Sequence, residues 1–153
     1  MLPGNILKEQ GMKFNNAIIS LMFTMTFLIS CSKDISVDKV QIDGSFKGFE
    51  GELDGDIFNL PFEGFSIEIK IKRINEEDAM VELNPFGNGK PIDFPDQICS
   101  IKTDSDGFVN LVSLKDGSMY VIFYDKETID CYPVNGTRIS GSRNGKKPSW
   151  WDD

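Results

Sequence analysis

Residues 65–74, FSIEIKIKRI, alternate strictly: Phe65, Ile67, Ile69 and Ile71 fall on one face, and Ser66, Glu68, Lys70 and Lys72 on the other. A period of two belongs to an extended chain, because successive Cβ atoms leave opposite faces of a strand. The charged half identifies an antiparallel strand with one face on a core and one in water. A charged turn, residues 75–78 (NEED), follows it, and residues 79–83 return as a partner strand.

The same reading extends along the chain. Residues 40–53 (VQIDGSFKGFEGEL) place Val40, Ile42 and Phe46 in alternation, interrupted by Gly44, Gly48 and Gly51. Glycines inside a strand pattern mark a bulge or sharp bend, here one that re-aims Phe49 and Leu53. Asp54-Gly55 supplies a turn before a short strand at 56–60. Residues 84–95 (NPFGNGKPIDFP) hold three prolines and two glycines and read as an ordered loop. Strands are then expected at 98–103, 108–114, 118–124 and 129–134, separated by Asp-Gly turns at 106–107 and 116–117.

No segment repeats apolar residues every 3.6 positions, and turn signals recur every 8–12 residues, about eight short strands in all. The expected fold is therefore all-β, a small antiparallel sandwich or barrel. Both bury one alternating face and differ only in strand pairing, so the pattern leaves the choice open.

The chain carries 16 Lys+Arg against 24 Asp+Glu, a formal charge of -8, and residues 31–153 alone carry 14 against 23, or -9. An acidic field repels phosphate backbones, which argues against a nucleic-acid partner. There is no histidine, the side chain most used for acid–base work near neutrality and for metal ligation. There is no G-x-S-x-G, and with so many acids no carboxylate spacing is informative. The chain is expected not to be an enzyme and to need no cofactor. Asp104, Asp106 and Gly107 echo part of a calcium loop, but Lys102 and Ser113 stand where ligands would be required. An Asp-Gly turn is the reading adopted there, and again for Glu52, Asp54 and Asp56. No metal site is expected.

Ahead of these strands, residues 17–29 (AIISLMFTMTFLI) form a 13-residue apolar run after Lys13 and before the small residue Ser30. A spanning helix needs about 20 apolar residues, so the run reads as the core of a secretory signal. Met12-Lys13 makes the more typical start for such a signal, and residues 1–11 are set aside as an over-extended start. The end of the run, Leu28-Ile29-Ser30-Cys31, resembles the lipobox of bacterial lipoproteins. The resemblance implies cleavage before Cys31, a diacylglyceryl group on its thiol and usually a further acyl chain, such as palmitate, on the new amino terminus. One acyl chain holds a protein only marginally, whereas two or three anchor it durably. Residues 31–39 then read as a lipidated tether. Ser32 is not the Asp that retains some lipoproteins of enteric bacteria at the inner membrane, so the resemblance favours the outer membrane, periplasmic or surface-facing.

With Cys31 assigned to lipid, Cys99 and Cys131 remain, both in strand-like segments of an exported chain. They are expected to form a disulfide; two buried free thiols are the alternative. Residues 40–136 form the expected β-domain. Residues 137–153 change composition, gathering Arg138, Arg143, Lys146 and Lys147 beside Trp150 and Trp151, and are expected to be a flexible tail. Trp is frequent at binding hot spots, so Trp150, Trp151, Arg143, Lys146 and Lys147 are candidate partner-binding residues. Alternatively, one Trp folds back over the core.

The expected whole is an envelope lipoprotein held to the membrane through Cys31, acting as a non-enzymatic binding module for a protein or small ligand. Its size and expected disulfide pattern fit inhibitor and immunity lipoproteins, an analogy of architecture alone. A structural accessory subunit of an outer-membrane assembly is the alternative.

Overall fold

A computed structural model describes residues 41–152. The expected signal peptide, Cys31 and the expected tether lie outside the described residues. Ten strands follow in chain order: β1 Gly44–Leu53, β2 Asp56–Asn59, β3 Ser66–Arg73, β4 Asp78–Gly87, β5 Lys90–Pro91, β6 Gln97–Thr103, β7 Val109–Ser113, β8 Met119–Phe123, β9 Thr128–Cys131 and β10 Thr137–Ser142. Every pairing is antiparallel. Eight strands run β1-β3-β4-β6-β7-β8-β9-β10 around a ring, and β10 pairs with β1 to close it. The fold is all-β, and the sheet is a closed barrel. Two further strands attach outside the ring, β2 on β1 and β5 on β4.

The alternating strand at the centre of the sequence argument behaves as its pattern demands. Ile69 stands opposite Leu83 and Ile71 opposite Val81, and all four are buried. An eight-stranded barrel is just wide enough for side chains to fill it, and Ile42, Phe46, Val81, Leu111, Val121 and Ile129 do so here. Phe46 and Phe123 meet edge to face at 6.0 Å across this interior. Asp54 and Gly55, both at positive φ, make the two-residue turn between β1 and β2.

The glycine-interrupted first strand contains the expected bulge, between Gly48 and Glu50 opposite β10. Strict alternation from Phe46 would send Glu50 into the apolar interior. The extra residue shifts the phase, so both Phe49 and Glu50 leave the core and meet the C-terminal segment. Leu53, the other residue expected to be re-aimed, is exposed at the strand end.

Three expectations are corrected. Residues 84–87, assigned to a loop, continue β4. Pro85 is tolerated because β6 pairs β4 only from Asp78 to Val81, so the proline sits beyond that ladder. Asn88 and Gly89, both at positive φ, then turn the chain into β5.

Residues 137–142, assigned to a flexible tail, are β10. Ile139 enters the core, Ser140 and Ser142 face outward, and Gly141 lies where a Cβ would touch Phe46 and the Lys47 carbonyl. Hydrogen bonding to β9 on one side and β1 on the other orders this segment despite its single apolar side chain.

The expected Cys99–Cys131 disulfide is absent: both are free, fully buried thiols. They stand on β6 and β9, which do not pair with one another, and both point into the core. Burial pushes the Cys99 thiol up to about 12, and burial followed by the neighbouring Cys99 also raises Cys131.

Candidate functional site

The outer face of β9, β10 and the bulged end of β1 is unusual for a barrel exterior, because its charges are buried. Asp130 is 0% exposed and Glu50 5%. Alternation explains Asp130: its neighbours Ile129 and Cys131 fill the core, so it points outward. There it receives the Ser140 hydroxyl at 2.6 Å on Oδ1, and the Tyr124 and Tyr132 hydroxyls at 2.8 and 3.3 Å on Oδ2. Burial, together with the Asp130 carboxylate, holds both tyrosine hydroxyls above their ordinary pKa, so they remain donors.

Arg138, at the start of β10, ties three acids together. Its Nη2 donates to Glu50 Oε1 at 3.1 Å and lies 3.0 Å from Glu52 Oε2, while Nη1 lies 3.8 Å from Asp130 Oδ2. Its Nε is buried without a partner. Glu50 is held on its other side by the C-terminal segment: Lys147 Nζ donates to Oε2 at 3.1 Å and Trp151 Nε1 to Oε1 at 3.3 Å. Lys147 also pairs with Asp152 at 2.6 Å, and the two carboxylates raise the ammonium pKa, Asp152 most.

Trp151 is thus the tryptophan that folds back. It meets Phe49 at 5.2 Å and Tyr124 at 5.4 Å, in both cases edge to face. Trp150 packs beside it at 5.5 Å and remains 46% exposed. A cleft of about 400 Å³ opens here, lined by Glu50, Ile57, Tyr124, Arg138, Trp150, Trp151 and Asp152. Arg138 also lines a larger groove of about 870 Å³, which runs between residues 115–119 after β7 and residues 132–137 after β9. Its walls mix Gln97, Lys115 and Asn135 with Met119, Ile122 and Val134. That combination of apolar surface with a few polar groups suits a binding pocket of ordinary ligand size.

No family model, curated protein or solved structure matches this chain.

The five partner-binding candidates separate. Trp150, Trp151 and Lys147 come together at the cleft. Arg143 lies elsewhere and is an architectural clamp, its Nε donating to the Lys126 carbonyl at 2.6 Å, Nη1 to Asp43 O and Nη2 to Gln41 O, both at 3.0 Å. Its guanidinium also lies 4.5 Å above the Phe46 ring, and a Cβ on Gly44, which has φ 143°, would collide with it. Lys146 is exposed and lines neither cavity. The Asp104 loop closes on itself, Oδ1 accepting from the Asp106 and Phe108 amides at 3.0 and 2.9 Å. Among the described residues no group of three or more acid or cysteine side chains is placed to hold a metal ion.

Glu50, Asp130, Tyr124 and Tyr132 were not singled out in the sequence, and Arg138 only as one of the basic residues of the tail. Two signals were present: an acid between Ile129 and Cys131 in an apolar strand, and an acid at the interior phase of β1. Every oxygen of Glu50 and Asp130 accepts at least one hydrogen bond. These carboxylates are fixed as organising groups, each oxygen bonded to the protein itself.

Proposed function

We propose that this protein is a lipid-anchored envelope protein whose barrel is a non-enzymatic binding module, recognising its partner through the groove and cleft that share Arg138. The lipobox resemblance at Leu28–Cys31 supports the anchor. The position of the groove supports the binding role. The described chain enters at Gln41, clamped by Arg143 beside the end of β10. The groove lies between the β7–β8 and β9–β10 connections, at the other end of the strands. β10, with 6 residues, spans the distance between these ends, roughly 20 Å. A tether on Cys31 would therefore hold the barrel by one end and leave the groove at the other. The committed oxygens of Glu50 and Asp130 fit a preorganised recognition surface better than a catalytic one.

Photo-cross-linking in cells tests this reading. A photoreactive residue at Met119 or Val134, both exposed in the groove, is expected to give one discrete adduct. The same residue at Lys70, on the outer face of β3, is expected to give none. Equal adducts from all three positions, or none from the groove, would contradict it.

A further inference from the structure

The ion pairs of the candidate site form a single connected network with unequal charge. Glu50, Glu52 and Asp130 meet Arg138, and Glu50 and Asp152 meet Lys147. Four carboxylates thus face two cations, leaving two negative charges in excess within one network. That excess sits beside three aromatic rings. Tyr124, Trp150 and Trp151 stand 5.4–6.2 Å apart at interplanar angles of 51–90°, so their faces point in different directions around the cleft. Tyr124 and Trp150 are substantially exposed there.

Aromatic faces attract cations through the ring quadrupole, indole most strongly, and the attraction grows where nearby carboxylates bias the local potential. The cleft already accommodates one ammonium group, Lys147 Nζ, between Glu50 and Asp152. Even so, one oxygen of Asp152 has no partner among the described residues, and its side chain is 75% exposed.

We propose that this cleft is a cation-recognition site, taking the ammonium or guanidinium group of a Lys or Arg side chain from a basic protein partner against Trp150, Tyr124 and Asp152. A residues 31–153 charge of -9, from 14 basic and 23 acidic groups, favours encounter with such a partner at long range. The proposal rests on the binding-module reading above and specifies the chemistry of one part of its surface.

Isothermal titration of the mature protein with penta-lysine tests it, with fully acetylated penta-lysine and a neutral oligosaccharide, cellotetraose, titrated in parallel. Penta-lysine is expected to bind at one site per chain, weakening as salt rises, while the two uncharged probes give no binding. Trp150→Ala should weaken penta-lysine about 3- to 10-fold, and Asp152→Asn should weaken it as well. Glu68→Gln, on β3 away from the cleft, should leave it unchanged. The proposal is overturned if penta-lysine does not bind, if the acetylated peptide binds as tightly, or if cellotetraose binds instead. It is overturned equally if Glu68→Gln weakens binding as much as Asp152→Asn, since bulk acidity would then suffice. Any of these outcomes leaves the cross-links at Met119 and Val134 unaffected, so the two readings fail separately.

Discussion

Replacing Trp151 with alanine probes whether the C-terminal segment is part of the folded domain. The indole makes edge-to-face contacts with Phe49 at 5.2 Å and Tyr124 at 5.4 Å, and its Nε1–H donates to the buried Glu50 carboxylate at 3.3 Å. An aromatic pair contributes about 1 kcal/mol beyond area burial, and a long hydrogen bond to a charged acceptor about 1 kcal/mol. Truncation would also open Phe49, otherwise buried, to water. Together these place the loss near 3 kcal/mol. For a domain of this size each kcal/mol moves the midpoint by about 4 °C, so Trp151→Ala should lower Tm by about 12 °C. Trp151→Phe keeps a ring and loses only the donor, and should cost about a third as much. Thermal and urea unfolding followed by far-ultraviolet circular dichroism measures both. If Trp151→Ala unfolds within 2 °C of the parent, a shift of about 0.5 kcal/mol or less, the tail does not brace the bulge and the cleft it forms is not a fixed site.

Two further outcomes follow from the thiols and phenols whose hydroxyl or sulfur the fold desolvates. Tyr120, Tyr124, Tyr132, Cys99 and Cys131 all have folded-state pKa values above their ordinary ones, burial being the first cause in each. Raised values mean that the unfolded chain loses its protons first. The stability these groups confer is complete below about pH 8, and is lost as pH rises through the ordinary thiol and phenol range toward the folded values. The urea midpoint should be flat from about pH 6 to 8 and fall steadily above about pH 9; a midpoint constant to pH 11 would contradict the raised values of these groups. Cys99 and Cys131 should resist iodoacetamide in the native state and both alkylate in denaturant without reductant. A reductant requirement would show that the pair is oxidised.

Much of the barrel was legible because its interior follows a period of two. The β3–β4 hairpin, with Ile69 and Ile71 facing Leu83 and Val81, needs no information beyond alternation and a charged turn. The Asp54-Gly55 turn is equally local. Closure was not legible. It depends on β10, whose only large core side chain is Ile139, and whose order comes from hydrogen bonds to strands distant in sequence. The site was half-legible for the same reason. Trp150, Trp151 and Lys147 announce themselves by composition, whereas Glu50 gains its role from a one-residue change of phase, and Arg138 from strand pairing between residues 86 positions apart at Glu52 and Arg138. The thiols misled because compartment and count argue for a bond, whereas both stand free and buried on strands that do not pair.

The most direct test is the intact mass of the protein extracted from cell membranes, with incorporation of a fatty-acid analogue measured in parallel for the parent and Cys31→Ala. A lipid-anchored binding barrel predicts a mature chain that begins at Cys31, carries the mass of a diacylglyceryl group with or without a further acyl chain, and loses both label and membrane association in Cys31→Ala. A chain that begins at another residue, or a Cys31→Ala protein that still takes up label, would contradict it.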